Sequence, residues 1–350
     1  MKVLLTGATG FVGGEVLRRL LASGHQVRVL SRVAAPKGLP PDVEIFHGNL
    51  LHAPSLSGCL EGIEAVVHLV GIITETGEQT YDRVHRQATV NLIAEAKRAK
   101  VNRWIHMSAL GARAGARSRY HQSKWAAEEA LRASPMQWTI VRPSIIYGPR
   151  DQFVNLFAKL MRAPWNFLTL WTIPLFGGGH AYLQPVPVED VAAVFVGALE
   201  KPESVKKIYD LCGPERLRLR EVIRQIAGVL GKRPTVVSIP GRRRIGAWAN
   251  FLSLPIAWFG SLLACSKPLL LPVPWDLSRL GAWTLEAVLD RPPLNRDALL
   301  MLEEDNVGDP TEAQKDFGIS PPPFREGIER YLRPGKPEVQ RARTISPVPA

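Results

Sequence analysis

The stretch that most constrains this chain is its opening, "KVLLTGATGFVGG" at residues 2–14. "KVLLTG" is a short apolar run of the kind buried on both faces of a parallel sheet. Phe11 to Ala22 follows with apolar residues at Val12, Val16, Leu17, Leu20 and Leu21, the stripe of a helix. In the turn between them Gly7, Gly10 and Gly13 stand three apart. Small residues let the backbone approach a pyrophosphate, whose charge then meets the positive N-terminus of the helix. Glycines also serve ordinary tight turns. Their place here, after a buried strand and opening an amphipathic helix, is what points to dinucleotide binding.

The same rhythm continues. Ser23-Gly24 ends the first helix, and "QVRVL", "VEIFHG", "AVVHLVG", "RWIHMSA" and "WTIVRP" read as five more strands. Helical segments lie between them near 53–60, 80–99 and 120–133. Such alternation predicts an α/β fold, a Rossmann-type doubly wound parallel sheet with a smaller C-terminal lobe. The 350 residues suit one large domain with such an appendage. We expect an NAD(P)-binding core over 1–150 and a substrate or partner lobe over 151–333, with 184–212 returning to the core. The polar, proline-rich 334–350 reads as a disordered tail.

After Gly148-Pro149 the rhythm breaks. Asp151 is expected to cap a helix over 152–162 that Pro164 ends. "NFLTLWTIPLFGGGH" suits a loop over an apolar cleft. Glu189 or Asp190 is expected to open a helix from Val191 to Leu199; "KIYDLCG" reads as a strand and Glu221 to Leu230 as a helix.

The choice of dinucleotide is read from the end of the second strand. An NAD-specific site usually carries an acid there for the ribose 2′-hydroxyl. This strand ends in Ser31 and Arg32. Arg32 can pair with a 2′-phosphate and Ser31 can donate to it, which favours NADPH over NADH.

Tyr120 and Lys124, in "SRYHQSKWAAEEAL", stand at i and i+4 and so share a helix face. Together "TGATGFVG", "HLVG" (68–71), "MSA" (107–109), "YHQSK" (120–124), "RPSIIYGP" (142–149) and "QPVPVEDVAAV" (184–194) resemble the short-chain dehydrogenase/reductase superfamily in its extended or atypical branch. The resemblance covers roughly residues 1 to 230. It implies an oxidoreductase in which Tyr120 gives or takes a proton at the substrate oxygen, Lys124 lowers the phenol pKa and binds the nicotinamide ribose, and Ser108 orients the substrate. A free phenol titrates near 10, so a neighbouring ammonium has real work to do in making it a base. The resemblance also implies cofactor contacts from Thr6, Gly7, Thr9, Gly10, Phe11, Val12, Gly13, Ser31, Arg32, Asn49, Leu50, Leu69, Gly71, Lys124 and Pro143. Two positions depart from the pattern. His85 stands where many members carry a proton-relaying asparagine, leaving Asn91 a structural part, and Asn49 replaces the aspartate that commonly contacts adenine.

A narrower likeness joins "WTIVRPSIIYGPRDQFVNLF" and "PPLNRDALLMLEEDNV" (292–307) to the dehydrogenase-like accessory subunit of respiratory complex I and its bacterial relatives, some implicated in ubiquinone biosynthesis. It implies a non-catalytic protein that holds NADPH within a respiratory or quinone-synthesis assembly; the apolar stretch over 245–266 points instead to an enzyme acting on a hydrophobic carbonyl or quinone/isoprenoid-type substrate.

Charge and cysteine narrow the rest. The formal net charge of +12 fits nucleic acid, anionic lipid or a merely basic surface. Basic residues are dispersed except in "GRRR" at 241–244, and no nucleic-acid motif accompanies them, so we expect no nucleic-acid partner. Cys59, Cys212 and Cys265 are too far apart for a zinc site or a disulfide framework, so we expect no metal and a reducing, cytoplasmic setting. No leader with an apolar run and cleavage site is read at the start. From Ile245 to Ser266 there is no charged side chain, with Trp248 and Trp258 inside the stretch. Burial in the protein's own lobe, an interfacial position for 241–275 on the inner face of a membrane with Arg242–Arg244 on anionic lipid, and a bilayer span all stay open.

Overall fold

The computed structural model describes residues 1–162, 172–236, 269–288 and 295–333. Pro164, the apolar stretch over 241–268 and the tail from 334 lie outside those residues.

The first half is β1 (Lys2–Thr6), α1 (Phe11–Ala22), β2 (Gln26–Ser31), β3 (Glu44–His47), β4 (Ala65–His68), α2 (Ala88–Arg98), β5 (Arg103–Met107), α3 (Arg119–Arg132) and β6 (Gln137–Pro143). There follow β7 (Ile146–Tyr147), α4 (Phe153–Arg162), β8 (Thr172–Phe176), β9 (Tyr182–Leu183), β10 (Val186–Pro187), α5 (Val188–Glu200), β11 (Lys207–Leu211), β12 (Leu217–Arg218) and α6 (Leu219–Val229). The described chain ends with β13 (Thr235–Val236), β14 (Leu269–Val273), α7 (Trp275–Val288), α8 (Arg296–Glu303), α9 (Thr311–Phe317) and α10 (Phe324–Leu332).

Seven strands form one sheet in the order β11-β6-β5-β4-β1-β2-β3, every pairing parallel. Successive residues of β1 point to opposite faces, so Val3 and Leu5 pack under Val16, Leu20, Val191 and Phe195 of α1 and α5. Leu4 packs the other way, with Leu92 and Ala96 of α2 and Leu131 of α3. Both faces are covered, which is why the strand reads as an unbroken apolar run. Burial of each such side chain stabilises by about 1.5–3 kcal/mol.

The strand order reverses between β1 and β4, and the crevice at their C-terminal ends is where this architecture holds ligands. A separate apolar cluster holds the C-terminal elements together. It joins Val154 and Met161 of α4, Val222 and Ile226 of α6, Leu175 of β8 and Phe324 and Ile328 of α10. β13, β14 and β8 pair as a small parallel sheet.

Several expectations are corrected here. The 53–60 segment contains only a 3-10 turn over Ala53–Leu56, held at its second position by Pro54. The 80–99 helix begins as a π-helical turn, Asp82–Gln87. Thr172–Phe176 is a strand rather than part of a loop, because β14 offers it a parallel partner. α5 starts at Val188, three residues before Val191, so Glu189 and Asp190 lie inside its first turn. Asp151 does cap α4, its Oδ1 accepting from the Val154 amide at 2.6 Å.

Candidate active site

Every residue assigned a site role from sequence lies at the C-terminal end of a core strand or on the helix that follows one. In the β1–α1 turn, Gly7 adopts φ +79°, a conformation that side chains disfavour, and its missing Cβ would meet the Leu69 carbonyl carbon and the Val70 amide at 3.3 Å. A Cβ on Gly13 would fall 2.0 Å from the Gly7 carbonyl oxygen, so only glycine lets α1 start this close to the strand. Thr9 and Gly10 are exposed on the turn, while Phe11 reaches Gly148 across the crevice and Val12 packs on the core. This cradle, bare of side chains at the mouth of a helix, fits a dinucleotide pyrophosphate.

The flanking residues divide into two groups. Arg32 is exposed and its guanidinium has no ion-pair partner among the described residues. Ser31, Thr6 and Asn49 are engaged locally. Ser31 Oγ donates to the Val33 carbonyl and accepts from its amide at 2.7 and 3.1 Å. Thr6 Oγ1 bonds His68 Nδ1 at 2.8 Å and accepts from the Leu69 amide. Asn49 Oδ1 accepts from the Leu51 amide at 3.0 Å, closing a turn. Leu50, Leu69 and Pro143 are buried wall residues, and Leu50's carbonyl is held by Asn91 Nδ2 at 2.8 Å.

Ser118 caps α3, its hydroxyl accepting from the His121 amide at 3.1 Å, so the helix begins in time to place Tyr120 in its first turn. Lys124 is buried one turn later and its Nζ donates to the Met107 carbonyl at 3.1 Å. That ammonium lies 3.0 Å from where a Gly71 Cβ would stand, with His85 Nε2 at 3.3 Å from the same point. Lys124, His85 and Gly71 therefore converge at the end of β4. Tyr120, partly open to solvent, has the edges of Tyr81, His85 and His121 around it at centroid distances of 5.9, 5.4 and 5.3 Å.

Electrostatics differ from the expected picture. Burial pushes the Tyr120 phenol up to about 12, and it pulls Lys124 down to about 8 against the opposing charge of Glu128. The ammonium is directed at Met107 rather than drawing the phenol towards ionisation, so at neutral pH Tyr120 keeps its proton. His85 is also neutral. Burial first, then the Lys124 charge, hold it at about 2. The Ile72 amide donates to its Nε2 at 3.0 Å, so Nδ1 carries the ring proton and donates to Ser123 Oγ at 2.7 Å. With both nitrogens committed, His85 is a scaffold for the π-helical turn rather than the relay its place in the chain suggests.

Ser108 is engaged in the same way. Its hydroxyl donates to buried Glu128 Oε1 at 2.5 Å, and Glu128 is held in turn by Arg142 at 2.6 Å and Arg132 at 3.1 Å. The one proton Ser108 can offer is spent on that carboxylate. Sequence reasoning missed Glu128, although at i+4 from Lys124 and i+8 from Tyr120 it lies on the same helix stripe. It also missed Asp297, which reaches the start of α3 and which no local pattern marks. Among the described residues no group of three His, Cys, Asp or Glu side chains is close enough to hold a metal ion.

Comparison with known proteins follows the same lines. The family model described as NAD(P)H-binding matches residues 7–156. The chain is 31% identical over 264 residues to the ceramide reductase of Caulobacter vibrioides, covering 72% of this chain and 80% of that protein. It is 30% identical over 243 residues to the mitochondrial NADH dehydrogenase [ubiquinone] 1 alpha subcomplex subunit 9 of Arabidopsis thaliana, covering 67% of this chain and 59% of that longer protein. Its fold is similar to the UDP-glucose 4-epimerase of Thermotoga maritima, with a TM-score of 0.65 at 17% identity over 95% of this chain and 97% of that one.

Proposed function

The chain belongs to the NAD(P)H-binding, short-chain dehydrogenase/reductase-like family, and within it we propose that this protein is an NADPH-dependent oxidoreductase acting on a hydrophobic carbonyl or quinone/isoprenoid-type substrate. The observation that carries the reading is the placing of Tyr120 and Lys124 one turn apart on α3, with the Lys124 ammonium against Gly71 at the strand switch point. NADPH would supply the hydride. Gly7, Gly10 and Gly13 would hold its pyrophosphate, Arg32 its 2′-phosphate, and Lys124 its nicotinamide ribose. Tyr120 would deliver the proton to the substrate oxygen; a phenol near 12 holds that proton at neutral pH, which suits reduction rather than oxidation. Ile73, 59% exposed, has its carbonyl bonded by Tyr81 and gives the mouth an apolar lip. A relative that is a ceramide reductase supports a lipid-like substrate. The apolar, arginine-led stretch over 241–268 would then meet a membrane surface from the cytoplasmic side, whereas 269–275 is excluded from that role because β14 pairs with β8 and buries Leu270 in the C-terminal lobe.

A second reading is favoured by the committed His85 and Ser108. With those hydroxyl and imidazole groups spent on structure, the chain could instead hold NADPH as a fixed part of a respiratory or quinone-synthesis assembly, in line with its likeness to the complex I subunit.

Oxidation of NADPH by the purified protein with long-chain ketone and quinone panels separates the two. Turnover that vanishes in Tyr120→Phe supports the enzyme. Tight NADPH that co-purifies, does not exchange and is not consumed supports the assembly protein.

A further inference from the structure

We propose that Asp297 is a positioning residue: it docks the C-terminal helix α8 onto the first turn of α3 and thereby sets where Tyr120 stands. A helix cannot satisfy its own first amide donors. In α3 the Ser118 hydroxyl takes the amide of His121, which leaves those of Arg119 and Tyr120. Asp297 takes both. Its Oδ1 accepts from the Arg119 amide at 2.7 Å and its Oδ2 from the Tyr120 amide at 3.1 Å, across 177 residues of chain in the second case. One carboxylate thus spans two successive N–H groups at the positive end of the helix dipole, an arrangement that fixes both direction and distance.

The surrounding charges repeat the connection. The segment between β5 and α3 carries Arg113 and Arg117, turns through Gly111 and Gly115 at positive φ, and leads into Arg119 at the start of α3. Arg113 pairs with Glu304 and Arg117 with Glu303, both at 2.8 Å, and Glu303 is also held by Arg279 of α7. Arg119 pairs with Glu75 at 2.9 Å, and Glu75 accepts from the Tyr81 amide. Three acids of α8 and its end therefore clasp the loop that delivers Tyr120. The exposed pairs are individually weak, whereas the contact of Asp297 with two backbone amides depends on one geometry. Among the described residues the Tyr120 hydroxyl has no hydrogen-bonded anchor in this cage of aromatic edges, so its position is inherited from the backbone that Asp297 holds.

The catalytic consequence rests on Tyr120 being the proton donor; the docking does not, and the test reads them separately. Hydrogen exchange of peptides spanning 117–124 is compared in the full-length wild type, Asp297→Ala and Asp297→Asn, beside melting temperature and NADPH-dependent turnover. Losing a charge-assisted contact to two amides is expected to speed exchange there about tenfold or more in Asp297→Ala while peptides of β1 and β4 stay unchanged. The kcat is expected to fall by a similar factor with KM for NADPH unaltered. Asp297→Asn, which keeps one acceptor, should fall between on both scales. Exchange at 117–124 equal to wild type, with only the melting temperature lowered, overturns the proposal. If Asp297→Ala does not fold, the Asn variant decides by the same criterion. A wild type without turnover removes the enzymatic reading of the site and leaves the exchange result to decide the docking.

Discussion

Lys124 Nζ donates to the carbonyl of Met107 at 3.1 Å, so the helix that carries Tyr120 is tied to the C-terminal end of β5 by a buried cation. The same ammonium sits against Gly71, where the sheet order reverses. One side chain therefore joins the helix that carries Tyr120, the crevice at the strand switch point and the end of β5.

Removing either member of the pair has distinguishable effects. Tyr120→Phe should lower kcat by about 100-fold or more while NADPH still binds. Lys124→Met should lower both turnover and NADPH affinity. In the wild type, Lys124 with a pKa of about 8 loses its charge as pH rises through that value, so NADPH affinity should decline from pH 7 to pH 9, measured by fluorescence titration.

If the cofactor is NADPH, as proposed, Arg32 is the residue that selects it. Arg32→Ala removes a charge-assisted contact worth about 1.5–3 kcal/mol, so the Kd for NADPH should rise at least about tenfold with that for NADH unchanged. An equal loss for both cofactors would place Arg32 outside the 2′-phosphate site.

Ser108 and Glu128 should behave as a structural unit. Glu128→Gln leaves Arg142 and Arg132 without their buried carboxylate, a loss expected to destabilise by about 3–5 kcal/mol in urea unfolding. Ser108→Ala should destabilise by about 1–3 kcal/mol and leave kcat within a few-fold of wild type. A large kcat loss at full stability would restore Ser108 as the substrate-orienting hydroxyl.

Acid should unfold the protein through its buried histidines. Burial holds His68 at about 3, His85 at about 2 and His106 well below its ordinary value. A histidine depressed in the fold contributes stability that is fully present above its unfolded pKa near 6.5 and is lost as pH falls below it. Between pH 7.5 and pH 5.5 each should remove about 1.4 kcal/mol, read as a falling urea midpoint. His68→Gln should reduce that fall by about 1.4 kcal/mol.

Gly13→Ala should destabilise by at least about 1–3 kcal/mol and abolish cofactor binding, because the new Cβ would overlap the Gly7 carbonyl. Differential scanning fluorimetry with and without NADPH reads both effects.

Much of this was legible in the chain. Strand and helix periodicity, the glycine spacing and the doubly wound order follow from local pattern, because each strand must bury both faces and each helix one. The sheet, the cradle at Gly7 and Gly13, and the Tyr120–Lys124 helix face stand where those patterns imply. The apolar stretch at 241–268 lies outside the described residues, so its competing readings rest on sequence alone.

The architecture and the location of the cleft are readable from the chain, since both depend on periodicity within a few residues. The state of the groups lining the cleft is not, because it depends on contacts made through space. Whether Ser108 offers its proton to a substrate or to Glu128, whether His85 relays or merely scaffolds, and which carboxylate takes the first amides of α3 depend on partners 13 to 178 positions away. Hydrogen bonds and burial act through space, so such assignments appear only once the chain has brought Asp297 to Tyr120 and closed the sheet over Lys124.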